Sequence, residues 1–474
     1  MRERKQLHSK TIPDKRRQEG ELKAVTDDWT FAHLKRVETL WGPHGYHRYP
    51  AKFIPQLVSR LIELYSAPGE LVGDPFMGSA TTGIEALRLG RRFWGGDISQ
   101  VALLISQAKC LPIEPCALAE AWQQIESRLD SIPHPGRRLL TSDERAVIAG
   151  IDIARATGEE RLRYWFPAAY YACLEAILHQ VTRVSDEAMR IFFLCGFSNI
   201  LKRCSIWLSG STKAQKDLER TLGDPVEEFR HQIRSMMQRN RLYWDDISAR
   251  GINPTVVAER CTIDMQDARH LTLPDKTFDL LVTSPPYAIC YEYKEIHQLT
   301  QLWFERYGIL CPDHHRDAWI GSQGMMHRNQ ARSASPLTGS DVADAALAEL
   351  ASLAAGNGAR DVHGEVRALR YYFQDMRAAL GELARVTAPG KRLALIVGDS
   401  YRRGITIPTS AALCEMACSL GFELERKIVR QVPVRILVST RDRKTGRFSS
   451  SARSDTQVYP EEHVLIFQKT RCQM

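Results

Sequence analysis

Asp279-Leu280-Leu281-Val282-Thr283-Ser284-Pro285-Pro286-Tyr287 is the stretch whose reading decides the fold. Phe278 to Val282 is a short apolar run with β propensity, and it runs into two consecutive prolines. Proline has no N–H to donate to a central ladder, so the strand stops there. Pro285 also pushes Ser284 out of the helical region. The product is a stiff, extended turn at the C-terminal edge of a strand, where open α/β sheets carry their chemistry. Within four residues it holds a hydroxyl (Ser284), carbonyls that regular structure cannot take up, and a flat aromatic face (Tyr287). Such a set can grip an amino group attached to a planar ring. By itself the same tetrapeptide also describes an ordinary Pro-Pro loop, so the surrounding chain has to choose.

Upstream, Glu70–Val72 reads as a strand entering Gly73-Asp74-Pro75-Phe76-Met77-Gly78-Ser79-Ala80-Thr81-Thr82. A helix follows, with Ile84, Leu87 and Leu89 on one face and Gly90 as its stop. Arg92–Gly96 makes a second strand ending at Asp97. The interval from Asp74 to Asp97 is the span that puts an acid at the tip of the second strand of a dinucleotide-type fold. Thr255–Ile263 reads as a third strand, followed by Asp264 and Asp267. Downstream of the Pro-Pro turn come a helix at 294–307 and a long helix at 368–387 closing at Pro389-Gly390. Next are a strand at 392–398 ending at Asp399, a helix at 410–420, and strands at 423–429 and 463–468. Seven strands in one α/β core is the sum.

Two segments interrupt this alternation. From about 111 to 250 the apolar residues recur at helical spacing (117–129, 164–181, 188–201) without convincing strands, which predicts a mainly helical insertion. Residues 312–367, rich in Gly, Ser, Ala and His up to 364, predict a second, mobile insertion. The expected organisation is an N-terminal arm (1–28), a first part of the core (29–110), the helical insertion (111–250), core with the Pro-Pro turn (251–311), the second insertion (312–367) and the remainder of the core (368–474). There is no internal repeat.

The 474 residues carry a net charge of +8, unevenly placed. Residues 1–17 hold seven Lys/Arg against two acids, and residues 441–454 five against one, so the rest of the chain is close to neutral. Basic ends around a neutral body suit a polyanionic partner, although two solvated surface segments would look the same. Inside the helical insertion, residues 199–216 mix Lys202, Arg203, Ser205, Ser211 and Lys213 with a tryptophan, a composition suited to phosphate and base contacts or to a solvated loop after a helix. No apolar run reaches membrane-spanning length, and the charged N-terminus lacks a following apolar stretch, so neither a membrane segment nor a signal peptide is expected. The 11 cysteines include no C-x-x-C pair; Cys414/Cys418 and Cys311 with His314 and His315 read as core or loop residues rather than metal ligands. Reduced thiols fit a cytoplasmic location.

Each motif has a physical role. Gly78 lets the backbone approach a ligand, and the N-terminus of the following helix offers free N–H groups to an anion. Asp97 is placed to accept hydrogen bonds from ribose hydroxyls. Asp267 follows the third strand, where an acid can hold the exocyclic amine of an adenine.

Taken together these stretches resemble the S-adenosylmethionine-dependent DNA methyltransferases that act on amino groups, the cytosine-N4 and adenine-N6 types. Gly73–Thr82 is similar to that family's FxGxG cofactor turn, Thr283–Tyr287 to its catalytic [DNS]-PP-[YFW] loop, and Tyr49–Pro55 to its Pro-Ala-x-Phe-Pro stretch. Tyr164-Trp165-Phe166 and the Ser205 region resemble the group's helical insert. The chain departs from the pattern in two places. Ala80 stands where the turn has a second glycine, which predicts that position 80 avoids positive φ, and Ile54 separates Phe53 from Pro55. The resemblance implies an α/β, Rossmann-like class I methyltransferase core with a seven-stranded, mostly parallel sheet. It implies S-adenosyl-L-methionine as cofactor and no metal. The cofactor would be held by Tyr49, Ala51, Lys52 and Phe53, by the turn residues Asp74, Phe76, Met77, Gly78, Ser79, Thr81 and Thr82, and by Asp97, Ile98, Asp267 and Ala268. Ser284, Pro285, Pro286 and Tyr287 would be catalytic. DNA, most simply duplex DNA with its target base flipped out, would be the partner. Lys202, Arg203, Ser205, Ser211, Lys213, Arg441, Arg443, Lys444 and Arg447 would contact it, and restriction or defence proteins are candidate associates. Ser284 favours cytosine N4 over adenine N6, because a neutral acceptor avoids a buried anion beside the ring. The alternatives are adenine N6, then an RNA guanine-N2 methyltransferase, then a nucleic-acid-binding protein without activity.

Overall fold

In the computed structural model the described residues are 28–49, 52–209, 211, 213–288, 293–312, 319–321, 337–354, 359–431, 440–441, 456–457 and 461–471. Seven strands form one sheet: β1 (Leu71–Asp74), β2 (Arg92–Asp97), β3 (Cys261–Met265), β4 (Phe278–Thr283), β5 (Thr387–Val397), β8 (Phe422–Gln431) and β11 (Glu461–Lys469). Two short pairs lie outside it, β6 (Ser400–Arg402) with β7 (Ile405–Ile407), and β9 (Thr440–Arg441) with β10 (Thr456–Gln457). The sheet order is β3-β2-β1-β4-β5-β11-β8. β3 to β5 run parallel, β11 is antiparallel to both β5 and β8, and β8 therefore points the same way as the rest. The expected seven-stranded, mostly parallel α/β core is the one observed, and strand order reverses between β1 and β4.

A parallel sheet buries both faces, which is why Leu280–Val282 of β4 and Leu393–Val397 of β5 are unbroken apolar runs. Alternation sends Leu393, Leu395 and Val397 of β5 and Leu465 and Phe467 of β11 to one face, against the helices Asp341–Ser352, Ala359–Val386 and Thr409–Ser419. Ala394, Ile396, Val464 and Ile466 go to the other, with Leu280 and Val282. That face is covered by the helix Pro55–Tyr65, which buries Leu57, Val58, Leu61 and Ile62, and by Thr81–Arg88.

The 111–250 region is helical as expected, with six helices between Pro115 and Ala249. It shares a core with the helix Gln100–Cys110 and with Trp303 and Phe304. Polar contacts also fasten it to the loop before Pro55. Gln232 Nε2 donates to the Tyr46 carbonyl (2.7 Å), Arg48 N to Asn199 Oδ1 (3.0 Å), and His47 Nε2 meets Ser198 Oγ (2.9 Å).

Several boundaries differ from expectation, each for a local reason. The helix read over 164–181 is two, Gly158–Trp165 and Ala168–Thr182, because Pro167 cannot donate into the first and caps the second. Residues 254–260 are two 3₁₀ turns begun by Pro254, and β3 starts only at Cys261, so Asp264 lies within the strand, accepting from Trp94 Nε1 at 2.9 Å. The 294–307 helix breaks at His297. The long helix begins at Ala359 rather than 368, and residues 387–390 belong to β5, where Thr387 pairs with Phe278. Within the expected mobile insertion, Asp341–Ser352 is a helix whose Ala343, Leu347 and Leu350 are buried on the core. A helix-forming face there was masked by the Gly/Ser/Ala composition around it.

Candidate active site

The C-terminal ends of β1 to β4 and the loop before Pro55 surround a cavity open to solvent. Tyr49, Lys52 and Phe53 line one side, and Pro75 to Ser79 with Thr81 form the turn after β1. Asp97 and Ile98 come from the tip of β2, Gln266 to Ala268 follow β3, and Ser284 and Pro286 follow β4. Trp319 and Ile320 complete the wall. The glycine turn and the Ser-Pro-Pro corner thus face one space, because β1 and β4 are neighbours.

Asp74 is the link between them. It is buried, with Oδ1 accepting from Thr283 Oγ1 (2.6 Å) and the Phe76 amide (3.1 Å), and Oδ2 from Thr82 Oγ1 (2.8 Å). Burial pushes its carboxyl up to about 6, against the pull of those hydroxyl donors. Asp74 and Thr82, expected to touch cofactor, stand behind the cavity wall instead and shape it. Asp74 accepts from Thr283 and Thr82, and Thr82 donates to the Val282 carbonyl, which ties the end of β1 to that of β4.

Gly78 has φ +51°, and a Cβ there would come 3.1 Å from the Tyr49 ring. Ala80 also adopts the left-handed region, φ 55° and ψ 45°, as the N-cap of Thr81–Arg88. This corrects the expectation that position 80 avoids positive φ. The turn's bonds, Ala80 N to the Met77 carbonyl (2.8 Å) and Ile84 N to the Ala80 carbonyl (3.0 Å), impose the conformation, and a methyl group is small enough to bear it.

Asp97 accepts from the Gly78 amide through Oδ2 and from the Ser99 amide through Oδ1, both at 2.9 Å. Burial raises its carboxyl to about 6. The Ile98 amide also points at this carboxylate, and with about four acceptor sites on its two oxygens, capacity remains for a ligand. Asp267 lines the cavity, but both its oxygens already accept from Arg269, whose Nη2 lies 2.6 Å from Oδ2. Burial would raise this carboxyl, yet the Arg269 hydrogen bonds and charge hold it below the usual range. Lys52 donates to the His44 carbonyl at 2.7 Å, and burial, with the charges of Lys109 and Arg239, holds its ammonium well below the ordinary lysine range. Ser79 Oγ is buried in the wall with no hydrogen-bond partner among the described residues.

These features suit a nucleoside cofactor with an amino-acid tail. Aromatic surface (Tyr49, Phe53, Phe76, Trp319) alternates with an acid at Asp97, an orphaned hydroxyl at Ser79 and an amino group at Lys52. Trp319 was not expected, since it lies in the second insertion, and its Nε1 is also buried with no partner among the described residues. Gln266, Pro75 and Ile320 were likewise missed. Ala51 lies outside the described residues. Pro285 is buried, and Tyr287 stands beside the cavity rather than in its lining, its hydroxyl donating to Glu462 Oε1 at 3.0 Å.

The expected nucleic-acid contacts fare unevenly. Ser205 is fully buried and shapes a turn, donating to the Lys202 carbonyl and accepting from the Trp207 amide, so it cannot meet DNA. Arg203 is paired with Glu228 at 2.8 Å. Lys202 donates to the Ser211 carbonyl and lies over the Trp207 ring, and burial, with the Arg48 and Arg220 charges, lowers it to about 8. Ser211 is half-buried, its hydroxyl donating to the Lys213 carbonyl, and Lys213 is exposed. Arg441 lies in β9; Arg443, Lys444 and Arg447 fall outside the described residues. No group of side chains able to hold a metal is present among the described residues.

Residues 2–108 match a family model described as DNA methylase, of the N6/N4 type. The type II methyltransferase M.MvaI of Kocuria varians is 27% identical over 300 residues, 60% of this chain and 62% of its own length. M.MjaII of Methanocaldococcus jannaschii is 36% identical over 104 residues, 22% of this chain and 20% of its own. M2.DpnII of Streptococcus pneumoniae is 38% identical over 87 residues, 18% of this chain and 31% of its own. The chain thus spans less than two thirds of the length of these relatives. The matched N-terminal segment contains the turn after β1 and the acid at the tip of β2, the same residues that line the cavity. By sequence, the chain is similar to the amino-group DNA methyltransferases, cytosine-N4 and adenine-N6 types taken together, most clearly over residues 2–108.

Proposed function

We propose that this chain methylates the exocyclic amino group of a flipped-out DNA base, with S-adenosylmethionine as donor and cytosine N4 as the preferred target. The observation that carries the reading is the single cavity shared by the glycine turn after β1 and the Ser284-Pro285-Pro286 corner after β4. Asp97 would accept from the cofactor's ribose hydroxyls, and Ile98, Ala268 and Phe76 would pack on its adenine. Tyr49, Lys52, Phe53 and Ser79 would meet its amino-acid tail. When bound, the cofactor supplies an electrophilic methyl group on sulfur.

The work of the protein is orientation. An exocyclic amine conjugated to its ring is a poor nucleophile. Ser284 Oγ and the Pro285 carbonyl would accept its two N–H bonds, which turns the nitrogen lone pair toward the donor. Tyr287 would stack on the base. A paired base cannot reach such a corner, so extrusion from the duplex is required. Lys213, the basic segment around Arg441, Arg443, Lys444 and Arg447, and the N-terminal arm would hold phosphates on either side, and the helical insertion would read the target. No described helix is long and apolar enough to cross a membrane. The test is transfer of labelled methyl to unmethylated DNA and, in a parallel reaction, to tRNA, followed by separation of the nucleosides. Label in N4-methylcytosine is expected; label only in N6-methyladenine rejects the cytosine preference, and label in tRNA alone rejects DNA as substrate.

A further inference from the structure

The aromatic ring of the catalytic loop is held by a part of the fold far away in sequence. Tyr287 Oη donates to Glu462 Oε1 at 3.0 Å, and the other oxygen of that carboxylate accepts from Arg430 Nη1 at 3.0 Å. Glu462 of β11 and Arg430 of β8 are directly opposed in the antiparallel ladder, so their side chains rise on the same side. Arg430 is 2% exposed, and its Nη2 reaches the Thr30 carbonyl at 3.4 Å. The segment around Thr30 is fastened in turn. The Arg60 guanidinium lies over Trp29 and Phe31, and that of Arg426 over Trp29.

We infer that Glu462, braced by Arg430, is a positioning residue that fixes the Tyr287 ring as the platform for the target base. The inference rests on the proposed function, in which Tyr287 stacks on that base. Two prolines stiffen the backbone of the loop but do not set the tyrosine's own side-chain torsions. A bond from the far end of the ring to a charged acceptor restrains them, and the ion pair keeps the acceptor from swinging away. A ring already in place loses less entropy when a base stacks on it, so the anchor acts on the productive complex and leaves the cofactor cavity alone.

The test uses the full chain, tritiated S-adenosylmethionine and DNA from a host without amino-methylation. Tyr287→Phe keeps the ring and deletes the anchor; Glu462→Ala deletes it from the other side. Each is expected to lower kcat about tenfold, the loss of one hydrogen bond to a charged group, and the double variant should lose no more than either. Glu462→Gln, whose amide carbonyl still accepts, should recover part of the rate. S-adenosylhomocysteine affinity by calorimetry should stay within about twofold of wild type throughout. Because Glu462→Ala leaves Arg430 buried without its anion, Tyr287→Phe is the decisive single variant. Wild-type kcat in Tyr287→Phe overturns the inference, as do losses that multiply in the double variant or an affinity loss as large as the rate loss. A wild-type protein that methylates no DNA overturns the proposed function itself, before any substitution is compared.

Discussion

Asp97 carries two jobs at once. It holds the Gly78 amide and so the turn, and it presents its remaining lone pairs to the cavity. Asp97→Ala should weaken S-adenosylhomocysteine binding about 10- to 100-fold, the value of charge-assisted hydrogen bonds, while Tyr287→Ala spares it and abolishes turnover. Calorimetry on both variants checks the split; unchanged affinity in Asp97→Ala would remove it from the ribose site. Since burial raises this carboxyl to about 6, the ionised acceptor is lost as pH falls through that value. Affinity should drop about fourfold between pH 7.5 and 5.5 if only the carboxylate binds, and Asp97→Asn should flatten that dependence. Trp319 is the residue-scale surprise. Its flat ring and its Nε1, which has no partner among the described residues, border the cavity, and Trp319→Ala should raise the dissociation constant for the same ligand about tenfold. Asp97 was legible from its spacing to Asp74. Trp319 was not, because no local pattern tells which residue of a long insertion folds back onto the sheet.

The elements that matter most are the two strand ends β1 and β4. Thr283 is the last residue of β4, and its hydroxyl is one of the donors that satisfy buried Asp74. Thr283→Val should destabilise the fold by about 1–3 kcal/mol by stripping a partner from a buried carboxylate, read as a lower urea midpoint at pH 7. Ala80 is the opposite case. Left-handed geometry costs alanine about 1–2 kcal/mol, and glycine gives back about 0.5–1 kcal/mol in unfolded-state entropy, so Ala80→Gly should be neutral to mildly stabilising in the same melts. The sequence comparison with a glycine-rich turn pointed to the right place and the wrong torsion there. Residue type biases φ, but the hydrogen bonds of a tight turn between a strand and a helix decide it. Boundaries failed where one proline outweighed a periodic run, at Pro167 and Pro254.

At the scale of the molecule, charge and topology divide the labour. Residues 1–17 and 441–454 hold the excess positive charge, and the sheet body is nearly neutral. Removing residues 1–17 should weaken DNA binding at low salt and make the dependence of affinity on salt shallower, with S-adenosylhomocysteine affinity unchanged; filter binding across a salt series reads this. The alternation of strands and helices, the Pro-Pro stop after β4 and the acid at the tip of β2 were determined by the sequence alone, since each follows from propensity, period or a missing N–H within a few residues. What only the tertiary structure decided are the contacts that cross the sheet. Asp74 meets Thr283 because β1 pairs with β4, and Glu462 reaches Tyr287 because β11 runs antiparallel beside β5. Such contacts depend on strand order, register and the folding back of insertions, and those are set by packing between segments hundreds of residues apart, on which local sequence pattern has no hold.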